Sequence, residues 1–168
     1  MTKGPQPAAT ATVAVRVGVV PEIAFAVFTR EIDRWWRRGP KFRHAGESGG
    51  TIHIEPGLGG CVIECWRDAN GEHSFELGRI TVWEPQLRLR FGWRNATFTE
   101  VERTEVEVTF VAQTTGTLVT VRHFGWEALR QDHPARHGQG DVGLARLVGI
   151  WWGEQLTALR HCVTGRVE

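Results

Sequence analysis

The chain has few cysteines, and its charges nearly cancel. Only three of its 168 residues are cysteine, too few for the disulfide framework of a secreted domain. Cys61 and Cys65 would lie roughly 13 Å apart on one extended strand, beyond the reach of a disulfide. Twenty basic and nineteen acidic side chains give a net charge of +1, which offers no electrostatic footprint for nucleic acid. The sequence therefore predicts a cytoplasmic protein with reduced thiols and no nucleic-acid partner.

Long apolar runs are also missing. No run approaches the roughly 20 residues of a membrane-spanning helix, so we predict no membrane span. Residues 1–10 contain glycine, proline, glutamine and alanine without an apolar core. They do not resemble a signal peptide, and we expect them to form a flexible tail. The 41% hydrophobic content fits a single domain over residues 11–168.

The clearest pattern that is present lies in residues 59–93, where three short alternating runs are separated by two turns. The turns are Asn70-Gly71 and Glu84-Pro85-Gln86. Asn-Gly tolerates the positive φ angles of a tight hairpin, so these runs predict an antiparallel meander. Further strands are predicted in residues 11–20, 51–55, 104–112 and 117–124 from the alternation of apolar and polar side chains.

Helical signals stand before and after the strands. Pro21 suits the first turn of a short helix, and Thr29 is placed to cap a second one. From Asp141 onward, apolar residues recur at helical spacing as far as Val163, which predicts a long helix. The order is a strand, two short helices, about six strands and a long helix. Antiparallel strands followed by a helix over one face indicate an α+β layer fold.

Five motifs occur in a fixed order along the chain. They are TREIDRWW at 29–36, Gly59-Gly60 followed by Glu64, Gly78-Arg79-Ile80 leading to Trp83-Glu84-Pro85, TEVEVTF at 104–110 and VTVRHFGW at 119–126. Their order and spacing resemble the START-like helix-grip superfamily, also called SRPBCC. Within it, the chain resembles the family related to the activator of heat-shock-protein-90-type ATPases.

This resemblance implies a curved antiparallel sheet of about six to seven strands, gripping a long C-terminal helix around a mostly apolar cavity. Relatives bind lipids, sterols or polyketides, some cyclise or dehydrate polyketides, and the eukaryotic namesake stimulates a chaperone. We therefore expect a monomer or homodimer that binds a small hydrophobic ligand without catalysis and without a cofactor. Two alternatives stay open, a polyketide cyclase- or dehydratase-like enzyme and a chaperone-ATPase-linked interaction module.

Strand phase selects polar groups that would face such a cavity. Glu64, Glu76 and His123 each share a strand face with apolar residues. An inward carboxyl group would have a raised pKa and would suit acid or base chemistry, as would an inward histidine. These three residues would carry the enzymatic alternative. The structural alternative is that each glutamate meets an arginine at the sheet edge and that His123 is a hydrogen-bonded lid residue.

Aromatic and aliphatic residues complete the predicted cavity. Trp151 and Trp152 point about 100° apart on a helix, so at most one of them faces the cavity squarely. Core packing is the alternative role for the aromatic residues. The candidate cavity-lining residues are Trp35, Glu64, Trp66, Glu76, Ile80, Phe91, Trp93, Val108, Phe110, Val121, His123, Val148, Trp151 and Trp152.

A pair of histidines and a cluster of basic residues give weaker indications of function. His133 and His137 have the spacing of metal ligands on a helix, but Pro134 separates them and no metalloprotease glutamate is present. We therefore predict a polar loop and no metal site. A basic cluster between Arg30 and Arg43 would guide an anionic ligand or meet an acidic partner, or it forms a solvated helix face.

Overall fold

Seven antiparallel strands form one curved sheet in the computed structural model, which describes residues 9–167. The predicted N-terminal tail falls mainly on residues 1–8, outside that range. The strand order across the sheet is β1-β7-β6-β5-β4-β3-β2. The strands are β1 (Ala11–Val17), β2 (Thr51–Ile54), β3 (Cys61–Asp68), β4 (Gly71–Glu84), β5 (Arg88–Trp93), β6 (Thr104–Gln113) and β7 (Gly116–Phe124).

Three α-helices accompany the sheet: α1 (Pro21–Arg30), α2 (Ile32–Trp35) and α3 (Asp141–Val167). Pro21 occupies the first turn of α1, where a missing N–H costs no hydrogen bond. The prediction that Thr29 caps the second helix is wrong. Its Oγ1 donates to the Phe25 carbonyl at 2.8 Å, because a threonine inside a helix readily bonds to the carbonyl four residues earlier. No helix in residues 9–167 is long and apolar enough to cross a membrane.

The strand β4 has 14 residues, which pair with β3 and then with β5. The register shifts between Val62 and Ile63 on one side and between Ile80 and Val82 on the other. Such irregularities increase the local twist of a sheet. At Gly78 a Cβ atom would lie only 1.8 Å from the Gly92 carbonyl oxygen. The curvature therefore depends on a residue without a side chain at this position.

The hydrophobic core fills the concave face beneath α1, α2 and the C-terminal half of α3. Phe28 packs against both Trp35 and Phe110, with ring centroids 4.8 and 5.9 Å apart. Leu156 and Leu159 of α3 are buried in the same core. Each such side chain contributes about 1.5–3 kcal/mol when fully buried. The predicted α+β helix-grip architecture is confirmed, and a large cavity lies at one end of the sheet.

Candidate functional site

An open cavity of about 830 Å³ lies at the end of the sheet where β5 and β7 finish and β6 begins. This volume is typical of small-molecule sites. Leu147 and Ile150 of α3 are 41% and 54% exposed, so the cavity opens to solvent beside the long helix. The wall consists of Pro40, Lys41, Phe42, Arg43, His44, Gly46, Trp93, Asn95, Ala96, Thr97, His123, Trp126, Ala135, His137, Leu144, Leu147, Val148, Ile150 and Trp151.

Four of the predicted lining residues lie in this wall: Trp93, His123, Val148 and Trp151. Trp93 ends β5 and His123 stands near the end of β7, so antiparallel pairing brings both to the same end of the sheet. Trp151 contributes to the wall, whereas the adjacent Trp152 is fully buried. This arrangement agrees with the 100° step between consecutive helical residues.

The other predicted lining residues lie outside the wall. Seven of them pack in the hydrophobic core: Trp35, Ile80, Phe91, Val108, Phe110, Val121 and Trp152. Trp66 stacks on His73 near the β3–β4 turn, with ring centroids 5.5 Å apart. Five of the seven lie on strands, where the alternation of side chains predicts which face of the sheet is buried. This alternation carries no information on which part of that face is filled by helices and which part stays open.

Glu64 is buried, but its carboxylate bonds to the loop of residues 36–50 and does not line the cavity. Its two carboxylate oxygens accept the backbone N–H groups of His44 at 3.1 Å and Ala45 at 3.0 Å. Burial raises the pKa of Glu64, while these hydrogen bonds and the Arg43 charge act in the opposite direction. The His44 Nδ1 lies 3.6 Å from the carboxylate, too far for a hydrogen bond. Glu64 thereby fixes the loop backbone at His44, a residue that contributes to the cavity wall.

Glu76 also lies away from the cavity. Its carboxylate forms an ion pair with Arg79, as the structural alternative for the glutamates expected. Burial, assisted by the neighbouring Glu76, raises the pKa of the Cys61 thiol to about 11. Cys61 is therefore protonated near neutral pH and is a poor nucleophile.

His123 is engaged through both ring nitrogens. Trp152 Nε1–H donates to His123 Nδ1 at 3.1 Å, and burial lowers the pKa of His123 to about 3. The neutral ring must therefore carry its hydrogen on Nε2, which donates to Thr104 Oγ1 at 2.7 Å. Thr104 Oγ1 in turn donates to the Trp93 carbonyl at 3.0 Å. The chain of hydrogen bonds fixes the ring and leaves no free nitrogen for proton transfer.

Arg43 organises the loop of residues 36–50, which supplies one side of the wall. Its buried guanidinium group donates to Asp33 Oδ1 at 2.7 Å and to the Trp36 carbonyl at 2.6 Å. Asp33 also accepts the Ile52 backbone N–H at 2.9 Å. Burial acts to raise the pKa of Asp33, but the bonds from Arg43 and Ile52 lower it overall. Within the predicted basic cluster, Arg43 is thus a buried structural residue rather than part of a solvated face.

Several wall residues were missed by sequence reasoning because they lie in loops without periodicity. Phe42 and His44 belong to the 36–50 loop, and Trp126 forms a single helical turn after β7. Phe42 packs on Trp151, with ring centroids 5.6 Å apart. Burial and the nearby Arg94 charge lower the pKa of His44. Trp126 was part of the 119–126 motif, directly after the predicted last strand, but nothing in the pattern indicated that it would line a cavity.

The two histidines of the predicted polar loop have separate environments. His133 is buried, and its Nδ1 accepts the Ala135 backbone N–H at 3.1 Å. Its Nε2 lies 3.2 Å from a carboxylate oxygen of Glu102, whereas His137 lies in the cavity wall. Across the described part of the chain, no group of three or more His, Cys, Asp or Glu side chains is arranged to hold a metal ion.

A curved antiparallel sheet that grips a long helix, with an aromatic-lined cavity at one end, defines a helix-grip protein of the SRPBCC type. The family model described as activator of Hsp90 ATPase homolog 1-like protein matches residues 19–151. The chain belongs to this family. The resemblance noted from the five sequence motifs is thereby confirmed.

Solved structures share the fold at low sequence identity. MLL2253 from Mesorhizobium loti has a TM-score of 0.63 and 16% identity, over 95% of this chain and 98% of that one. SA2116 from Staphylococcus aureus, described as a protein of unknown function, has a TM-score of 0.67 and 13% identity, over 94% of each chain. DynU16, described as belonging to the dynemicin biosynthetic locus, has a TM-score of 0.61 and 18% identity, over 92% of this chain and 47% of that one. A comparison with curated proteins gives no match.

Proposed function

We propose that the chain binds a small hydrophobic molecule, such as a lipid or polyketide, in the cavity at the end of the sheet. It acts as a cytoplasmic monomer or homodimer, and binding requires no catalysis. The observation that carries this proposal is the cavity of about 830 Å³ with a largely aromatic and aliphatic wall. A volume of this size accommodates a molecule of several rings or a medium-length chain.

The aromatic part of the wall is held in place before any ligand arrives. Trp151 Nε1–H donates to the Lys41 carbonyl at 3.0 Å, which joins α3 to the 36–50 loop. Trp36 supports the Trp151 ring from the core side, with centroids 5.5 Å apart. Because these rings are already ordered, a ligand would lose little binding free energy to arranging them. A prearranged aromatic wall favours binding of flat or flexible apolar molecules.

The enzymatic alternative draws support from DynU16, a structural neighbour described as part of a biosynthetic locus. It requires a titratable atom within reach of the ligand. Both carboxylate oxygens of Glu64 accept hydrogen bonds from backbone N–H groups. The Glu76 carboxylate forms an ion pair with Arg79 outside the wall. Both ring nitrogens of His123 are hydrogen-bonded to neighbouring side chains. Binding without catalysis therefore fits the geometry of these three residues better than acid–base chemistry does.

The chaperone-linked alternative draws on the family's description alone. It needs an interaction surface rather than a cavity. A stable complex with a chaperone ATPase, recovered by copurification from the source organism, would favour this alternative. Recovery of the protein with a bound small molecule would favour the cavity.

Native mass spectrometry of protein purified from its source organism, followed by extraction of the bound molecule, tests the proposal directly. Displacement of the neutral dye N-phenylnaphthylamine provides a second measurement. We expect Leu147→Asp, in the wall, to weaken dye binding about tenfold, since it places a charge against an apolar ligand. Leu58→Asp is the matched control, because Leu58 is 76% exposed in the β2–β3 turn. Repeated recovery of empty protein that also fails to bind the dye would refute the proposal.

A further inference from the structure

Two tryptophans in the cavity wall have buried indole N–H groups without an acceptor. Neither Trp93 Nε1 nor Trp126 Nε1 has a hydrogen-bond partner among residues 9–167. The contrast with other tryptophans is clear, because the N–H groups of Trp35, Trp36, Trp151 and Trp152 each donate to a protein acceptor at 3.0–3.2 Å. Both residues contribute to the cavity wall, and each Nε1 atom is itself covered by neighbouring atoms.

The two rings are close enough to serve one ligand. Their centroids are 6.0 Å apart, and both pack against His123, at 5.1 Å for Trp93 and 4.8 Å for Trp126. Hydrogen bonds anchor the backbone of both residues, since Thr104 donates to the Trp93 carbonyl and Arg136 donates to the Trp126 carbonyl at 3.1 Å. Buried donors without partners are rare in native proteins and destabilising. Their presence side by side at the cavity points to an acceptor supplied from outside the chain, which a small rotation of the rings would admit.

The charges around the cavity favour an acceptor over a cation. Within the described residues, the wall contains no aspartate or glutamate, whereas it contains Lys41 and Arg43. Both cations have carboxylate partners outside the wall, Glu154 for Lys41 and Asp33 for Arg43. The wall also holds the Nδ1 of His44, unpartnered within residues 9–167. An ammonium group in the cavity would nevertheless lie near two cationic side chains and would find no carboxylate among these wall residues to pair with. An oxygen acceptor would pair with the two donors once a small shift of the rings uncovers their nitrogens.

We propose that the cavity selects a hydrophobic molecule bearing an acceptor oxygen, a carbonyl or a carboxylate, that is bound by the indole N–H groups of Trp93 and Trp126. This inference rests on the proposed function and specifies which apolar molecules the cavity prefers. Amines with the same apolar body are rejected. The rest of the wall, including Leu144 and Val148, contacts that apolar body.

A set of matched probes separates this selectivity from simple apolar binding. Naphthalene, methyl naphthoate, naphthoate and naphthylmethylamine share one ring system and differ in their polar group. Each is titrated against the complex of the protein with N-phenylnaphthylamine. We expect the ester to displace the dye about three- to tenfold better than naphthalene, and naphthoate at least as well as the ester. The amine should bind more weakly than naphthalene.

Conservative variants assign the effect to the two donors. Trp93→Phe and Trp126→Phe keep an aromatic ring and remove the N–H, so each should reduce the advantage of the ester over naphthalene by about threefold or more. Trp151→Phe is the matched control, because its N–H is already bonded to Lys41. It should change the affinities of ester and naphthalene equally. In the unmodified protein, the indole N–H resonances of Trp93 and Trp126 should shift with the ester and stay unchanged with naphthalene.

The outcomes distinguish a failure of the acceptor selectivity from a failure of apolar binding itself. Equal affinity for all four probes, with unshifted indole resonances, would overturn the acceptor selectivity and leave apolar binding intact. Preference for the amine would also overturn it. If neither the dye nor any probe binds the unmodified protein, the proposed function itself fails.

Discussion

At the scale of single residues, His123 connects β7, β6 and α3 through its two ring nitrogens. The Trp152 indole donates to Nδ1 from the helix, and Nε2 donates to Thr104 at the start of β6. The bond from the indole requires the neutral ring, since a protonated Nδ1 has no lone pair to accept it. His123 therefore links the cavity wall to the core through both bonds only while its ring is neutral.

We expect this requirement to appear in the pH dependence of stability. Burial lowers the pKa of His123 from 6.5 to about 3 in the folded protein, so the unfolded chain binds the proton more tightly. The stabilisation is complete above about pH 6.5 and is lost progressively as the pH falls toward the folded pKa. His123→Gln supplies a neutral donor and acceptor without this titration. Urea unfolding at several pH values should show a steeper loss of stability below pH 6.5 in the unmodified protein, and parallel curves would contradict the assignment.

At the scale of elements, the curvature of the sheet depends on the contact between β4 and β5. A Cβ at Gly78 would meet the Gly92 backbone at 1.8 Å, whereas a Cβ at Gly92 would meet the Arg103 side chain at 3.6 Å. We predict that Gly78→Ala destabilises the protein by about 3 kcal/mol or more. Gly92→Ala, its matched control, should stay within about 1 kcal/mol of the unmodified protein. Chemical denaturation followed by circular dichroism measures the free energy of unfolding of both variants. Equal effects would show that the close approach of the two backbones at Gly78 does not restrict this position to glycine.

The elements themselves were largely predictable, because their signals are local. Asn70-Gly71 specified a hairpin, Pro21 specified a helix start, and the apolar spacing after Asp141 specified α3. The cavity wall was less predictable, since much of it comes from loops in which neither a period of two nor one of 3.6 residues applies. Those loops are fixed by long-range contacts, such as the bonds of Glu64 to His44 and Ala45.

The same contrast explains the role of Glu64. Its strand phase predicted an inward carboxyl group, and the side chain is indeed buried. Its two carboxylate oxygens accept hydrogen bonds from loop N–H groups that lie about twenty residues earlier in the chain. Sequence pattern identifies the face of a strand on which a residue lies, whereas the partner depends on the tertiary path of the loop.

At the scale of the whole molecule, opposite parts of the long helix contribute to the core and to the cavity wall. The C-terminal half of α3 contributes Leu156, Leu159 and Val163 to the core. The N-terminal half contributes Leu144, Leu147 and Val148 to the cavity wall. Ala96, in the loop between β5 and β6, is exposed and also belongs to the wall. A large side chain at this position would fill the cavity without entering the core.

We therefore predict that Ala96→Trp separates binding from stability. A ligand at a hundred times its Kd stabilises the folded state by about 2.7 kcal/mol, which corresponds to a rise in Tm of about 5–10 °C for a chain of this length. With N-phenylnaphthylamine as the ligand, the unmodified protein should show this rise when unfolding is followed by circular dichroism. Ala96→Trp should retain the ligand-free Tm and lose the rise. Ala69→Trp, exposed in the β3–β4 turn, should retain both, and an undiminished rise in Ala96→Trp would mean that the dye binds elsewhere.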